Sequence, residues 1–182
     1  MVLIRLAREE DAAALAEIYR PFVEDSRISF EEHAPDAAEF ARRFNGDRPG
    51  FHPWLVAEDG SQLLGFARSC PFRSRPAYRW SVETGIYLAA DAHGLGIGKR
   101  LLAMLTNLLE RQGYVTAIGA IALPNDASVN LHEALGFVHA GTYRGSGFKL
   151  GQWVDVGLWQ KDLAPRVSAP AEPQPFEGLF PS

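Results

Sequence analysis

Three glycines at every second position, Gly94, Gly96 and Gly98, mark the stretch of this sequence best suited to chemistry. An alternating segment that predicts a strand precedes them. Apolar residues at helical spacing follow them and end at Gly113. Glycines between a strand and a helix leave backbone N–H groups bare at the positive end of the helix dipole. Such a loop can bind an anion, most often a phosphate.

The glycine spacing argues against two common phosphate-binding loops. A P-loop requires GxxxxGK followed by Ser or Thr, whereas this chain has His93 at the first glycine position and Arg100 after Gly98-Lys99. A dinucleotide-binding loop requires GxGxxG, but these glycines form GxGxG and no strand-and-acid pattern follows them. A tight turn before a helix, without a ligand, stays open as an alternative.

A carboxylate lies on the strand that leads into this loop. Residues 82–88 alternate, so one face carries Val82, Thr84, Ile86 and Leu88, and the other carries Glu83, Gly85 and Tyr87. A basic loop, residues 73–79, comes just before this strand. Its arginines suit the bidentate binding of carboxylate or phosphinate, although basic loops are usually only solvated surface. Arg73 and Arg75 can face one ligand only if the loop turns, and Pro76 favours an extended or turning backbone there.

The rest of the chain predicts an α/β domain, in which a mixed (α+β), twisted sheet is flanked by helices. We predict strands over residues 2–6, 53–58, 62–72, 82–88, 115–122, 138–144 and 152–160, with a short extended piece at 28–30. Helices are predicted to begin near Glu9, at Pro35-Asp36, behind Gly98 and at Asp126. Pro21 predicts an end or a kink in the first of these helices.

The C-terminal segment, residues 164–182, is rich in Pro, Ala and Glu. This composition predicts a linker or a disordered end, so we place the domain at residues 1–163 and a Pro-rich tail at 164–182. Phe176, Leu179 and Phe180 are apolar for such a tail. They leave open the alternative that it docks on the domain surface.

Composition excludes several classes of protein. A chain of 182 residues is expected to form one domain, and a net charge of −4 with a pI near 5.7 argues against non-specific nucleic-acid binding. No apolar run of the ~18 residues that a membrane span needs is present, and the N-terminus lacks a signal-peptide core. The single cysteine, Cys70, fits a reducing cytoplasm. The five histidines lack metal-ligand spacing, so we expect no metal site.

Several separated segments resemble the GCN5-related N-acetyltransferase (GNAT) family. That family's acetyl-CoA loop, Gln/Arg-x-x-Gly-x-Gly/Ala, matches His93, Gly96 and Gly98, with His93 in place of Gln or Arg. Its second CoA motif matches Asn125, Ser128, His132, Gly136 and Phe137. The segments ISFEEHAP, GFARSCPFRSRPAYRWSVETGIYL, LHEALGFVHAGT and GFKLGQWVDVGLWQKDL resemble the phosphinothricin acetyltransferase subgroup, which also acetylates methionine sulfoximine and methionine sulfone. The resemblance covers residues 2–163 and implies the GNAT fold.

The resemblance implies acetyl-CoA as the cosubstrate. The pyrophosphate is expected on the N–H groups of residues 95–98, near Lys99 or Arg100, and an oxyanion on an N–H group that a bulge at Gly85 would free. Asn125 is expected to bind the pantetheine arm, or to act only as a helix cap. The predicted cofactor-binding residues are Tyr87, Leu88, His93, Leu95, Gly96, Ile97, Gly98, Lys99, Asn125 and Ser128.

The resemblance also assigns two catalytic roles. Glu83 matches the subgroup's proposed general base, because an amine must lose a proton before its lone pair can attack. The alternative is a strand glutamate paired with Arg79 or Arg68. His132 stands where many relatives carry a tyrosine that protonates the leaving thiolate, and the alternative is a satisfied or surface histidine.

The implied acceptor is a small, amino-acid-like amine. The predicted acceptor-binding residues are Phe30, Arg73, Arg75, Tyr78, Lys149 and Trp153. Family members of this type form dimers, so a homodimer is expected. Two rival functions stay open: an N-acetyltransferase for other amines, such as polyamines or peptide termini, and a catalytically silent acyl-CoA-binding domain. A basic acceptor loop disfavours polyamines, and the presence of Glu83 disfavours the silent domain.

Overall fold

The computed structural model describes residues 1–46 and 48–180, and within them seven strands form one mixed sheet. The strands are β1 (Leu3–Leu6), β2 (Trp54–Asp59), β3 (Gln62–Pro71), β4 (Ser81–Leu88), β5 (Thr116–Leu123), β6 (Val138–Lys149) and β7 (Gln152–Asp162). Their order in the sheet is β1-β2-β3-β4-β5-β7-β6. This confirms the predicted fold class.

The sheet opens at its centre, between β4 and β5. These two strands are parallel and pair only from Ser81↔Thr116 to Thr84↔Gly119. Beyond that point β5 continues to pair with β7 as far as Leu123, while the last four residues of β4 pair with β3 alone. The two central strands therefore diverge towards the end of β4 that carries the glycine loop.

Helices cover both faces of the sheet. They are α1 (Ala12–Glu24), α2 (Ala37–Asn45), α3 (Ile97–Arg111) and α4 (Asp126–Glu133). On one face α1 and α2 pack an aromatic cluster that includes Tyr19, Phe40, Trp54 and Phe66. On the other face the leucine stripe of α3, which the helical spacing predicted, packs on β2, β3 and β4, and α4 packs on β5. The two faces thus have separate cores.

Three local predictions differ from the structure. Helix α1 continues through Pro21 to Glu24, because burial of the last-turn residue Val23 holds the helix beyond the one donor that proline lacks. The short extended piece predicted at residues 28–30 is instead a bend at residues 28 and 29, followed by irregular structure at residue 30. Strand β6 runs five residues beyond the predicted end at Arg144, since two register shifts, next to Gly141 and Gly145, absorb the extra residues.

The tail packs on the domain. Gln112, which is fully buried, donates to the carbonyl oxygens of Phe51 and Gln174 at 3.1 and 2.9 Å. The indole of Trp80 donates to the Ala171 carbonyl oxygen at 2.8 Å. The apolar tail side chains Phe176, Leu179 and Phe180 pack against the α3 core. The tail therefore docks on the domain over residues 171–180, and residues 181–182 lie outside the described part.

The described helices include none that is both long and apolar enough to span a bilayer. The same described residues contain no group of three or more His, Cys, Asp and Glu side chains that could hold a metal ion.

Candidate active site

Glu83 lies on the sheet face that α1 and α2 cover. Strand β3 pairs with β4 so that Cys70 lies opposite Glu83 and Arg68 lies opposite Gly85. Side chains at these positions share one face of the two strands. Tyr87 continues this face, and its ring packs at 4.7 Å from the ring of Tyr19. The glutamate, the cysteine and the arginine are therefore neighbours.

The carboxylate of Glu83 has no cationic partner in the described structure. No Lys, Arg or His nitrogen among residues 1–46 and 48–180 lies within 4.0 Å of its oxygens. Arg79, one of the partners considered above, instead pairs with Glu172 of the tail at 2.6 Å. Burial raises the pKa of Glu83 above its ordinary value, and the charges of Arg68 and Arg73 oppose part of that rise. A carboxylate with a raised pKa accepts a proton more readily than an ordinary glutamate, which suits a general base.

A cavity of about 960 Å³ is lined by the basic loop and by the β3 neighbours of Glu83, whereas Glu83 itself is not among the described residues that line it. Residues 76–78 form a 3-10 turn, so the loop does turn, and Arg73, Arg75 and Tyr78 line the same cavity. Arg68 and Cys70 line it from β3. The side chain of Arg73 also donates to the Tyr143 hydroxyl on β6, at 3.4 Å. The predicted loop residues are therefore brought together.

The other three predicted acceptor residues have different surroundings. Phe30 packs on Gly147 of β6, so closely that a Cβ added to that glycine would lie 2.5 Å from the ring. The ammonium of Lys149 is buried and donates to the carbonyl oxygens of Val23 and Ser29, so it stabilises the loop between α1 and α2. Trp153 is exposed and packs on Phe148 at 5.2 Å between ring centroids.

The glycine loop has the backbone geometry that an anion site needs. Gly94 and Gly96 adopt φ values of 77° and 73°, which side chains rarely allow, and Gly96 is the N-cap of α3. The first helical N–H groups, from Ile97 onwards, have no carbonyl one turn earlier to bind and face outward. A Cβ at Gly98 would lie 3.3 Å from Leu88, so this glycine allows close packing of α3 on β4.

The side chains of this loop are mostly free. His93, Leu95 and Lys99 are exposed. Arg100 instead donates to the Val2 carbonyl oxygen at 3.0 Å, which ties α3 to the N-terminus. The cradle thus consists of backbone, with Lys99 as the cation that remains available beside it.

The loop and the gap between β4 and β5 fit an acyl-CoA. The loop offers N–H donors to phosphates, and the gap leads from Leu88 towards Thr84, where strand pairing resumes. The expected bulge at Gly85 is wrong, because β3 and β4 pair without a register shift from Val82 to Leu88. The divergence of β5, rather than a bulge, leaves the β4 backbone at Tyr87 and Leu88 without a partner on that side.

His132 is buried near the point where β4 and β5 separate. Its Nδ1 lies 2.8 Å from the Ser128 carbonyl oxygen, which fixes Nδ1–H as a donor. Its Nε2 is buried without a partner among the described residues, and a Cβ added at Gly119 would lie 2.6 Å from it. Burial lowers the pKa of His132, and the Ser128 bond opposes part of that shift. The neutral imidazole therefore directs a lone pair, not a proton, towards β5.

Asn125 is the N-cap of α4, and its side chain accepts from the Ser128 N–H at 3.1 Å. The side-chain oxygen of Asn125 therefore acts as the cap of α4, which was the alternative to pantetheine binding. Ser128 lies one turn before His132, and its hydroxyl is 3.4 Å from Nδ1 of that histidine. Both residues therefore position His132 through α4.

A family model described as an acetyltransferase (GNAT) domain matches residues 4–158, most of the chain. The chain belongs to the GNAT family. Its relatives include a phosphinothricin N-acetyltransferase of Streptomyces viridochromogenes, 39% identical over 96% of this chain and 92% of that protein. They also include an L-methionine sulfoximine/L-methionine sulfone acetyltransferase of Pseudomonas aeruginosa, 33% identical over 92% of this chain and 98% of that protein.

A solved GNAT structure, the phosphinothricin acetyltransferase of Sinorhizobium meliloti in complex with acetyl-CoA, superposes with a TM-score of 0.89. It is 36% identical, and 94% of each chain is covered. These relatives identify the present chain as a GNAT N-acetyltransferase and confirm the resemblance found in its sequence.

One part of the cavity of this acetyltransferase was not predicted from the sequence. Arg68 was predicted only as an alternative partner for Glu83, and Glu31 and Arg43, which also line the cavity, were not among the predicted site residues. The strand pattern held one usable signal. Arg68 and Cys70 have the same parity on β3, so pairing β3 with β4 places both on the face of Glu83 once the register is known.

Proposed function

We propose that this GNAT protein transfers acetyl from acetyl-CoA to the amine of a small, amino-acid-like acceptor, with Glu83 as the general base. The observation that carries the proposal is Glu83 itself. It is half-buried, has a raised pKa and no cation within 4.0 Å in the described structure, and lies on a face shared with a cation-lined cavity. A partly desolvated carboxylate without a cationic partner is costly to retain, and this cost supports a role for Glu83 in proton transfer.

In the proposed reaction the amine nitrogen attacks the acetyl carbonyl carbon. The C–N bond forms, the C–S bond breaks, and the nitrogen loses a proton to Glu83, directly or through one water. Backbone N–H groups at the open edge of β4, at Tyr87 or Leu88, stabilise the oxyanion. The glycine loop holds the pyrophosphate on backbone donors, with Lys99 beside it.

The basic loop supports an acceptor with a carboxylate. Arg73 and Arg75 line the cavity with Tyr78, and a guanidinium binds a carboxylate through two parallel hydrogen bonds. The named substrates of the relatives, phosphinothricin and methionine sulfoximine or sulfone, are α-amino acids with such a group. A polycation such as spermidine would be repelled by the same arginines.

An assay of thiol release with a panel of amines tests this function. We expect turnover with phosphinothricin or methionine sulfone and little with spermidine. Arg75→Ala is expected to raise KM for the amino acid by about 10- to 100-fold, as for a lost hydrogen bond to a charged group, with little change for acetyl-CoA. Arg42→Ala is the matched control, because Arg42 lines the cavity but is largely exposed and pairs with Glu39.

Two outcomes separate the rival functions. Better turnover of spermidine or of a peptide N-terminus would move the protein to another class of amine. Acetyl-CoA binding without turnover of any acceptor would identify a silent acyl-CoA-binding domain.

We also propose that the protein forms homodimers in the cytoplasm. Exposed aromatic side chains on β6 and β7, Tyr143, Phe148 and Trp153, offer a surface for a second copy. The single free cysteine, Cys70, suits a reducing compartment. Light scattering that gives a monomer mass at micromolar concentration would contradict the dimer.

A further inference from the structure

Arg68 is a cation inside the acceptor cavity that the proposed reaction does not yet use. It extends from β3 opposite Gly85, two residues before Cys70, which lies opposite Glu83. Diagonal neighbours on paired strands lie about 7–8 Å apart at their Cα atoms, so Arg68 flanks the proposed base. Its guanidinium carbon lies 5.5 Å from the centre of the Trp54 ring, which supports it from one side.

This guanidinium has no ion-pair partner among the described residues. No carboxylate oxygen in the described part of the chain lies within 4.0 Å of it. The positive charge of Arg68 opposes the rise that burial causes in the pKa of Glu83 and adds to the lowering of the pKa of Glu31, so these two carboxylates are the acidic groups that it influences. A half-buried cation without a carboxylate at ion-pair distance lacks the direct compensation that such charges normally have.

Neither of these carboxylates is available as an ion-pair partner for Arg68, because Glu83 is the proposed base and Glu31 is already bound to another arginine. Glu31 accepts from Arg43 at 2.9 Å through each of its oxygens, and it also accepts from the Tyr19 hydroxyl at 2.9 Å. Pairing Glu31 with Arg68 would therefore break an existing ion pair. An anion that enters the cavity is the remaining source of compensation.

Several arginines line the cavity, and two sets of them, the loop pair Arg73 and Arg75 and the single Arg68, lie at different depths. Arg73 and Arg75 are exposed on the loop at its rim, whereas Arg68 is half-buried on the sheet beside Glu83. An acceptor with one carboxylate can satisfy one of these sets. An acceptor with a second anionic group can satisfy both while its amine approaches the glutamate.

We propose that Arg68 is a specificity-determining residue that binds a second anionic group of the acceptor. The enzyme then prefers α-amino acids with an acidic side chain over those with a neutral polar side chain of similar size. This inference rests on the proposed N-acetyltransferase function and specifies its acceptor.

Steady-state kinetics with two acceptors test the proposal. Phosphinothricin carries a side-chain phosphinate, and methionine sulfone carries a neutral side chain. We expect Arg68→Gln to raise KM for phosphinothricin by about 10- to 100-fold, the usual effect of a lost charged hydrogen bond. KM for methionine sulfone and the affinity for acetyl-CoA are expected to stay within about threefold, a difference of less than 1 kcal/mol. Arg68→Lys keeps the charge and is expected to recover part of the loss.

The control removes one positive charge elsewhere in the cavity. Arg42 is 75% exposed and pairs with Glu39, so Arg42→Gln is expected to leave both KM values unchanged. A shift in the pKa of Glu83 on removal of Arg68 would change both acceptors alike. Only a selective loss for the anionic side chain supports the proposal, and an equal change for both acceptors, or none for phosphinothricin, overturns it.

A second measurement needs no variant and covers the case in which Arg68→Gln does not fold. Glutarate and pentanoate have the same chain length but two and one carboxylates. We expect glutarate to compete with the acceptor in the wild-type protein at an inhibition constant at least about tenfold lower, and equal constants overturn the proposal. Wild-type turnover of methionine sulfone but not phosphinothricin would also overturn it and leave the proposed function standing. Turnover of neither amino acid would remove the proposed function itself.

Discussion

The two halves of the proposed active site are built in different ways. The acetyl-CoA half is a backbone structure, in which a glycine loop directly follows β4 and leads into α3. The acceptor half is a side-chain structure, to which β3, β4, the basic loop and the α1–α2 region each contribute. The first is local in the sequence, whereas the second exists only when distant segments meet.

The two halves therefore differ in how far their ligand can change through substitution of side chains. A backbone cradle depends on φ angles and on the absence of side chains, so it is common to many proteins with the same cosubstrate. A side-chain cavity can change its ligand by single substitutions without disturbing the sheet. Arg68 and the loop arginines are such positions, and Glu83 lies where the two halves meet.

Replacement of Glu83 is expected to have the largest effect, because both halves serve its proton transfer. Glu83→Gln should lower kcat by about 10²–10⁴-fold, the usual contribution of a general base, while calorimetry shows nearly unchanged acetyl-CoA affinity. Wild-type activity should rise as pH increases through the raised pKa of Glu83. In the variant this rise of activity with pH through the Glu83 pKa disappears. Its rate recovers partly at high pH, because more of the amine is unprotonated. Near-wild-type activity at pH 7 would end the general-base proposal.

The melting temperature of the same variant is a control, because the direction of its change can be predicted. The pKa of Glu83 is raised in the folded state, so its favourable contribution is complete below the unfolded pKa and is lost as pH rises through the folded value. Glu83→Gln should therefore melt at the same temperature or higher than the wild type at pH 7. A large decrease would indicate that the glutamate stabilises the fold through a partner.

Replacement of Gly96 isolates the backbone half. Gly96 and Gly60 both have positive φ, 73° and 63°, and no atom lies within 4 Å of an added Cβ at either position. Valine at either site should cost about 1–2 kcal/mol of stability from backbone strain. Only Gly96→Val should also weaken acetyl-CoA binding, by about tenfold or more, since its side chain blocks the approach of the phosphates. Equal affinities in two folded variants, measured by calorimetry, would remove the loop assignment.

The same division explains what the sequence could predict. Alternation and helical spacing placed the central strand, the glycine loop and α3, because these signals lie within one stretch of chain. The role of Arg68 depends on the register between β3 and β4, and the residues of β3 alone do not predict that register. Lys149 was predicted at the acceptor, yet its ammonium binds carbonyl groups more than 100 residues away. Docking of the tail was equally difficult to predict. Its anchor Gln112 is a polar residue of ordinary type, and only its place at the end of α3 brings it to the tail.

Replacement of His132 is expected to have the smallest effect on the rate. A general acid for the leaving thiolate would need a proton on Nε2, but Nδ1–H donates to the Ser128 carbonyl oxygen, so in the neutral ring Nε2 has none. The pKa of His132 is lowered by burial, so the doubly protonated ring is scarce at pH 7. A thiolate, whose conjugate acid has a pKa of about 8–9, can leave without such help.

His132→Asn keeps a donor near Ser128 and removes Nε2. We expect kcat to fall by less than about tenfold, below the 10²–10⁴-fold contribution of a general acid, together with a lower melting temperature from the cavity. A loss of a hundredfold or more in a folded variant that still binds acetyl-CoA would restore His132 as the acid.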